Sequence, residues 1–248
     1  MNVQSQATIR FYEELNDFLP KRKQKIAFNI TFREHPSVKH LFEAEGVPHA
    51  EVDLVLINGK PVTFETKVFD GDYISVYPVF ESLNIGGVTR VREYPLREAR
   101  FILDVNLGKL ARYLRMMGFD AEWYPVMEDS VLAKRASAEK RCILTRDKRL
   151  LMHKVIEKGI WIRHDDIRLQ VREVINRLQL ESSINLFSRC TLCNGYLEPI
   201  DETEAFLHFP GFIFPKDTPF GRCRSCHKIY WWGSHCERFR IWVAQTLH

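Results

Sequence analysis

No stretch of this chain approaches the ~18 consecutive apolar residues of a membrane span. The longest apolar runs, such as Val52-Asp-Leu-Val-Leu-Ile57, are short and interrupted by charge. Met1-Asn-Val-Gln-Ser-Gln lacks a basic region followed by an apolar core. No secretion signal is expected, and a cytoplasmic protein is the default. Internal repeats and low-complexity tracts are absent as well. Cysteine is nearly missing from the first three quarters, where Cys142 stands alone, while five of the six crowd into the last 60 residues. What remains is ordinary globular material, 45% apolar and 27% charged. At 248 residues it is longer than the usual ~100–200 of a single domain. The net charge of +4 is unevenly placed: residues 1–90 hold 10 Lys/Arg against 12 Asp/Glu, the remainder 26 against 20. A basic excess in the later part fits a polyanionic partner.

The pattern divides the chain into an α/β and α+β multidomain protein. Residues 1–80 alternate as strands at Ala7–Tyr12 and Lys25–Phe32, with Ile26, Phe28, Ile30 and Phe32 on one face and Leu15–Pro20 as a polar connector. Ser37 can cap a short helix through Ala44 that Gly46 ends. Two more strands, Glu51–Ile57 and Tyr73–Tyr77, follow, with a tight-turn signal at Asn58-Gly59. Strand-strand-helix-strand-strand is the order of a β-grasp fold. Gly46-Val-Pro-His49, Glu51–Gly59 and Asp70–Pro78 resemble the ubiquitin-like sulfur-carrier family, which works through a free terminal Gly-Gly. Here the chain runs on, and Gly86-Gly87 within residues 81–98 reads as linker. Docking to RNA or to a protein partner, or support of the fold, is the expected role.

From 99 to 184 strands alternate with helices, which implies a parallel sheet. Three of the strands run into acid. Phe101-Ile-Leu runs into Asp104 and Cys142-Ile-Leu-Thr-Arg into Asp147. Gly159-Ile-Trp-Ile-Arg-His runs into Asp165-Asp166, and Asp129 or Ser130 can cap the helix before Cys142. Open α/β sheets bind ligands beyond the carboxyl ends of their strands. Carboxylates gathered there suit hard cations such as Mg²⁺ or Mn²⁺, which can activate water and neutralise phosphate charge. Lys109, Arg112 and Arg115 recur on the helix after Asp104, and Arg146, Lys148 and Arg149 bracket Asp147. These cations can hold an RNA backbone or be plain helix-surface charges. Asp129 can equally be a helix cap, and Asp165-Asp166 a turn and cap.

Phe101–Asp120 and Ala138–Asp147 resemble the Mut-seven C-terminal RNase domain, a PIN-like nuclease family with a trailing zinc ribbon. The resemblance implies RNase activity, with Asp104, Asp129, Asp147 and Asp165 or Asp166 as its acids.

Residues 185–248 read as the zinc ribbon. Cys190-Thr-Leu-Cys193 and Cys223-Arg-Ser-Cys226 are paired knuckles whose four thiolates suit a structural Zn²⁺. Phe206–Phe214 is expected to fold within the long spacer. Cys142 reads as a buried thiol and Cys236 as spare. Tyr230-Trp-Trp-Gly-Ser-His235 resembles the family's terminal signature. Its aromatics suit stacking on unpaired bases or packing of the ribbon against the nuclease domain, and His235 suits a phosphate or proton transfer. The expectation is a metal-dependent ribonuclease. A non-catalytic RNA-binding adaptor is its rival, and a processed sulfur carrier cut after Gly87 a third reading.

Overall fold

The computed structural model describes residues 4–78 and 99–248. The expected linker at 81–98, with Gly86-Gly87, lies outside the described residues. No described helix is long and apolar enough to cross a membrane. The chain sorts into two compact units. The first takes in the described residues of Met1–Glu98 together with Ala133–Glu139 and Asp147–Trp161. The second holds Ala99–Leu132, Lys140–Arg146 and Ile162–His248.

In the first unit, β1 (Ser5–Phe11), β2 (Ala27–Phe32), α1 (Val38–Ala44), β3 (Val52–Ile57), β4 (Lys60–Pro61) and β5 (Tyr73–Pro78) follow in order. They form a mixed sheet of order β2-β1-β5-β3-β4, with β1 parallel to β5 and the other neighbours antiparallel. This is the β-grasp topology. Ile9, Phe11, Ile74 and Val76 from the central strands share one core with Val38 and Phe42 of α1. The Ser37 side chain accepts from His40 N at the start of α1. Asn58 and Gly59 both take positive φ, +52° and +78°, which is how the β3–β4 turn closes in two residues. Two local expectations need correction. Ile26 precedes β2 and is half exposed rather than aligned with Ile30 and Phe32. Leu15–Pro20 is no polar connector: a 3-10 turn spans Glu13–Phe18 and buries Leu15 and Phe18. Asn16 holds it by donating to Phe11 O and accepting from Lys25 N, so short apolar side chains at irregular spacing are turned inward.

The α/β segment continues with β6 (Arg100–Leu103), α2 (Gly108–Met116), β7 (Asp120–Trp123), α3 (Asp129–Ala138), β8 (Cys142–Thr145), β9 (Gly159–Trp161) and α4 (Ile167–Arg177). Its sheet has the order β7-β6-β8-β9, with β6 parallel to both β7 and β8. Phe101, Ile102 and Leu103 are all buried, as a central parallel strand requires on both faces. Leu110, Ala111 and Leu114 form the buried apolar stripe of α2, with Leu107 buried in the 3-10 turn just before it, and Gly118 (φ +95°) turns the chain out of the helix.

After α4 come β10 (Leu197–Ile200), α5 (Glu202–His208), β11 (Phe220–Cys223), β12 (Ile229–Trp231) and the terminal α6 (Ser234–Leu247). β10, β11 and β12 make an antiparallel three-stranded sheet, and α6 packs Phe239 and Trp242 against Tyr113 of α2.

Candidate functional site

The β6/β8 register sets the first candidate acid. Leu103 pairs with Leu144, and Asp104 N donates to Leu144 O, so the next residues of both strands emerge side by side at the carboxyl edge. There Thr145 Oγ1 donates to Asp104 Oδ2 at 2.9 Å. Thr145 is fully buried and Asp104 only 7% exposed. Asp104 Oδ1 has no partner among the described residues. The turn behind Asp104 is pinned from β7, where Trp123 Nε1 donates to Val105 O at 3.0 Å. The same indole covers Gly108 so closely that a Cβ there would lie 2.6 Å from Trp123 Cζ2.

Arg146, next after Thr145, forms an ion pair with Asp165, whose carboxylate is 84% exposed. Asp166 is committed elsewhere: its Oδ1 accepts from Arg168 N and Leu169 N and caps α4. Asp147 follows Arg146 in the chain, and its Oδ1 accepts from Arg149 N at 2.8 Å. Asp129 is exposed as the first residue of α3.

The four cysteines form a second constellation. Cys190, Cys193, Cys223 and Cys226 are free thiols whose sulfurs all lie within 4.8 Å of one another. Cys190 and Cys226 are 3.6 Å apart, Cys193 and Cys223 3.4 Å. Four sulfurs about 2.3 Å from a common tetrahedral centre would be separated by roughly 3.8 Å, so the cluster fits zinc. The two knuckles are built alike. Cys190 N donates to Gly195 O and Cys223 N to Lys228 O. The residue after each second cysteine, Asn194 or His227, takes positive φ. The Cys190 thiol is pushed up by burial, but hydrogen bonds from Tyr230 and the Cys193 and Leu192 N–H groups outweigh this and bring it to about 7. Burial and the neighbouring thiols push Cys193 up to about 12. Such a set holds protons that a bound cation would displace. Cys236 is outside the cluster, with its sulfur against Trp231 O. Among the described residues, the aspartates form no comparable group of three or more converging donors.

With this geometry in hand, the family comparison is decisive: the profile of the Mut7-C RNAse domain matches residues 99–243, more than half of the chain. The chain belongs to the Mut7-C RNAse domain family. The Mut7-C ubiquitin profile matches residues 4–84, in front of it. A search of the curated proteins found no match.

Within the Mut7-C segment the basic candidates separate. Lys109, Arg112 and Arg149 are exposed. Arg115 is not, and this corrects the expectation that it lies with Lys109 and Arg112 on an exposed face. It is 6% exposed and donates to Ala121 O, Thr191 O and Leu192 O, bracing the first cysteine knuckle. A spacing of three advances a helix by ~300°, so successive members drift around the axis toward the buried stripe. His235 is exposed at the start of α6, beside Arg238. Trp231 packs on Phe209, Phe212 and Phe214 of the ribbon's own spacer, and Trp232 on Phe187. The two rings are half-buried packing elements.

Two participants carried no signal in the sequence reading. One is Thr145. The other is Asp120, which accepts from Arg141 Nη1 and Asn194 Nδ2, each at 2.7 Å, with Arg189 at 3.7 Å. Burial pushes the Asp120 carboxyl up, but these partners more than offset it and hold it below the usual carboxylate range. The Asp120–Asn194 bond ties β7 directly to the first knuckle.

Proposed function

We propose that this chain is a divalent-cation-dependent ribonuclease that hydrolyses RNA phosphodiester bonds. The observation that carries the reading is the Asp104 carboxylate in a Mut7-C segment. It sits at the carboxyl edge of β6 with Oδ2 fixed by Thr145 and Oδ1 left for a ligand. The donors offered by the candidate acids are all oxygens, a set that suits Mg²⁺ or Mn²⁺. A cation of this kind supplies charge neutralisation at phosphate oxygens and lowers the pKa of a water. Asp104 and Asp147 are its principal holders, with Asp129 and Asp165 in support. Asp166 serves as a cap instead. Asp165 would enter this role by exchanging its contact with Arg146 for the cation. Exposed Lys109, Arg112 and Arg149 hold the RNA backbone, and His235 contacts RNA on the ribbon.

The proposed modules are a ubiquitin-like domain at 1–80, a linker at 81–98, the nuclease at 99–184 and the ribbon at 185–248. Cys190, Cys193, Cys223 and Cys226 hold a structural zinc there. A second reading, an RNA-binding adaptor without catalysis, is favoured by the spread of the carboxylates, since no three of those described converge as the cysteines do.

The test is cleavage of labelled total RNA by the full chain and by Asp104→Asn, with Mn²⁺ or Mg²⁺ and with EDTA, zinc content being checked after treatment. Divalent-dependent cutting lost in the variant supports the nuclease. RNA bound but uncut by both proteins, across several RNA pools, supports the adaptor. Cutting that survives in Asp104→Asn overturns the assigned site.

A further inference from the structure

Two acids around the start of β3 are enclosed: Glu51, which closes the 3-10 turn before the strand, is fully buried, and Asp53 within it nearly so. Acids are seldom buried without a partner, because desolvating a carboxylate is costly. Glu51 Oε1 accepts from the backbone N–H of Trp161 at 2.5 Å, across 110 positions of chain. Part of what makes this burial tolerable therefore comes from outside the β-grasp sheet. The Trp161 ring packs on the same core as β1, β3 and β5, and lies 5.3 Å from Phe18. Lys148 Nζ stands over both rings, 3.8 Å from the Trp161 centroid and 5.1 Å from that of Phe18. Between these two anchors Leu150 and Leu151 are buried. The segment so clamped begins with Asp147, and all of these residues fall in one compact unit.

Lys148 is adjacent to Asp147 and by sequence suits phosphate. Its ammonium is engaged with two aromatic rings instead, in a cation–π arrangement.

We infer that Glu51, Phe18 and Lys148 are positioning residues for Asp147, so that the ubiquitin-like segment braces the loop carrying a candidate catalytic acid. This rests on the nuclease reading above. It differs from a carrier or recruiting role, because it requires the β-grasp fold to be attached and intact for cutting.

The experiment uses the full chain and its variants Glu51→Ala, Glu51→Gln and Lys148→Met. Two readouts are taken: hydrogen exchange of peptides within 147–161, and kcat and KM for RNA cleavage with Mn²⁺. Glu51→Ala is expected to speed exchange at Trp161 and to lower kcat about 10- to 100-fold, with KM changed less than about twofold. Glu51→Gln keeps an oxygen for the Trp161 N–H and should retain most of both properties. Lys148→Met keeps the aliphatic stem and should move both readouts in the same direction, less far. It also carries the test if Glu51→Ala does not fold. Faster exchange with unchanged kcat overturns the inference, as does unchanged exchange in both Glu51→Ala and Lys148→Met. An unaltered chain that cuts no RNA refutes the nuclease reading and the catalytic half of this inference. Exchange alone then decides whether the β-grasp segment holds the loop.

Discussion

Replacing Asp120 with asparagine should lower the stability of the sheet-and-ribbon unit by about 3 kcal/mol at neutral pH. Arg141 is the reason. Its guanidinium is 4% exposed and bonds Asp120 at 2.7 Å, Glu122 at 3.1 Å and Phe101 O at 3.1 Å. Removing one partner of a buried ion pair costs about 3–5 kcal/mol, because the other charge stays behind. The lower end applies here, since Glu122 remains on Arg141 and asparagine keeps one acceptor oxygen. The pH dependence has a definite sign. The folded pKa of Asp120 is depressed, so its contribution is fully present above the unfolded value of about 3.9. It is lost as pH falls through the lower folded value. The gap between the two proteins should hold from pH 7 to about 5 and close below about 4. A chain of two compact units need not unfold in one step, so the urea transition should be read by pulsed hydrogen exchange on peptides from β6, β7 and β8. Because Asn194 leans on Asp120 beside Cys193, the variant should also surrender zinc faster to a chelator. A gap below about 0.5 kcal/mol at pH 7, or one that widens in acid, would refute this account.

Thr145→Val should reduce cleavage about tenfold while the fold survives, as steady-state kinetics and circular dichroism can check, since the hydroxyl that orients Asp104 is lost. Gly108→Ala should destabilise by about 1–3 kcal/mol in denaturant titration, because the added Cβ meets the Trp123 ring at 2.6 Å. Asp166→Ala should cost about 1 kcal/mol of stability as a lost cap and leave cutting largely intact, whereas Asp165→Ala should impair cutting. One zinc per chain is expected by elemental analysis. Its affinity should weaken as pH falls, because Cys193, pushed up to about 12, must lose its proton to bind.

Much of the fold was legible because it rests on local signals. Asn58-Gly59 demanded a two-residue turn, Ser37 and Gly46 bracketed α1, and the stripe at Leu107, Leu110, Ala111 and Leu114 could be buried only on one face of a helix. The paired cysteine knuckles were equally explicit, since their chemistry is written in four residues. What failed was irregular. Leu15 and Phe18 lie in a 3-10 turn whose inward face has neither helical nor strand periodicity. Arg115 stood in a plausible basic row, and its burial depends on the carbonyls of Thr191 and Leu192, about 76 residues on.

The site follows the same division. Acids after strands could be named from sequence, because a buried strand must end and a parallel sheet ends all its strands at one edge. What each acid does there depends on register and on partners from other strands. Thr145 reaches Asp104 only because Leu103 lies opposite Leu144. A slip of one residue would turn each side chain to the opposite face and break the pairing. Asp165 and Asp166 are indistinguishable as a dipeptide. They part because Asp166 meets the first free N–H groups of α4 while Asp165 meets Arg146. Lys148 and Arg149, neighbours of like charge, separate for the same reason: one lies over Trp161 and the other is open to solvent. Charge and spacing thus delimit a candidate set, and long-range partners decide its membership. Variants that preserve charge but alter those partners, such as Thr145→Val, are therefore the sharper probes of this site.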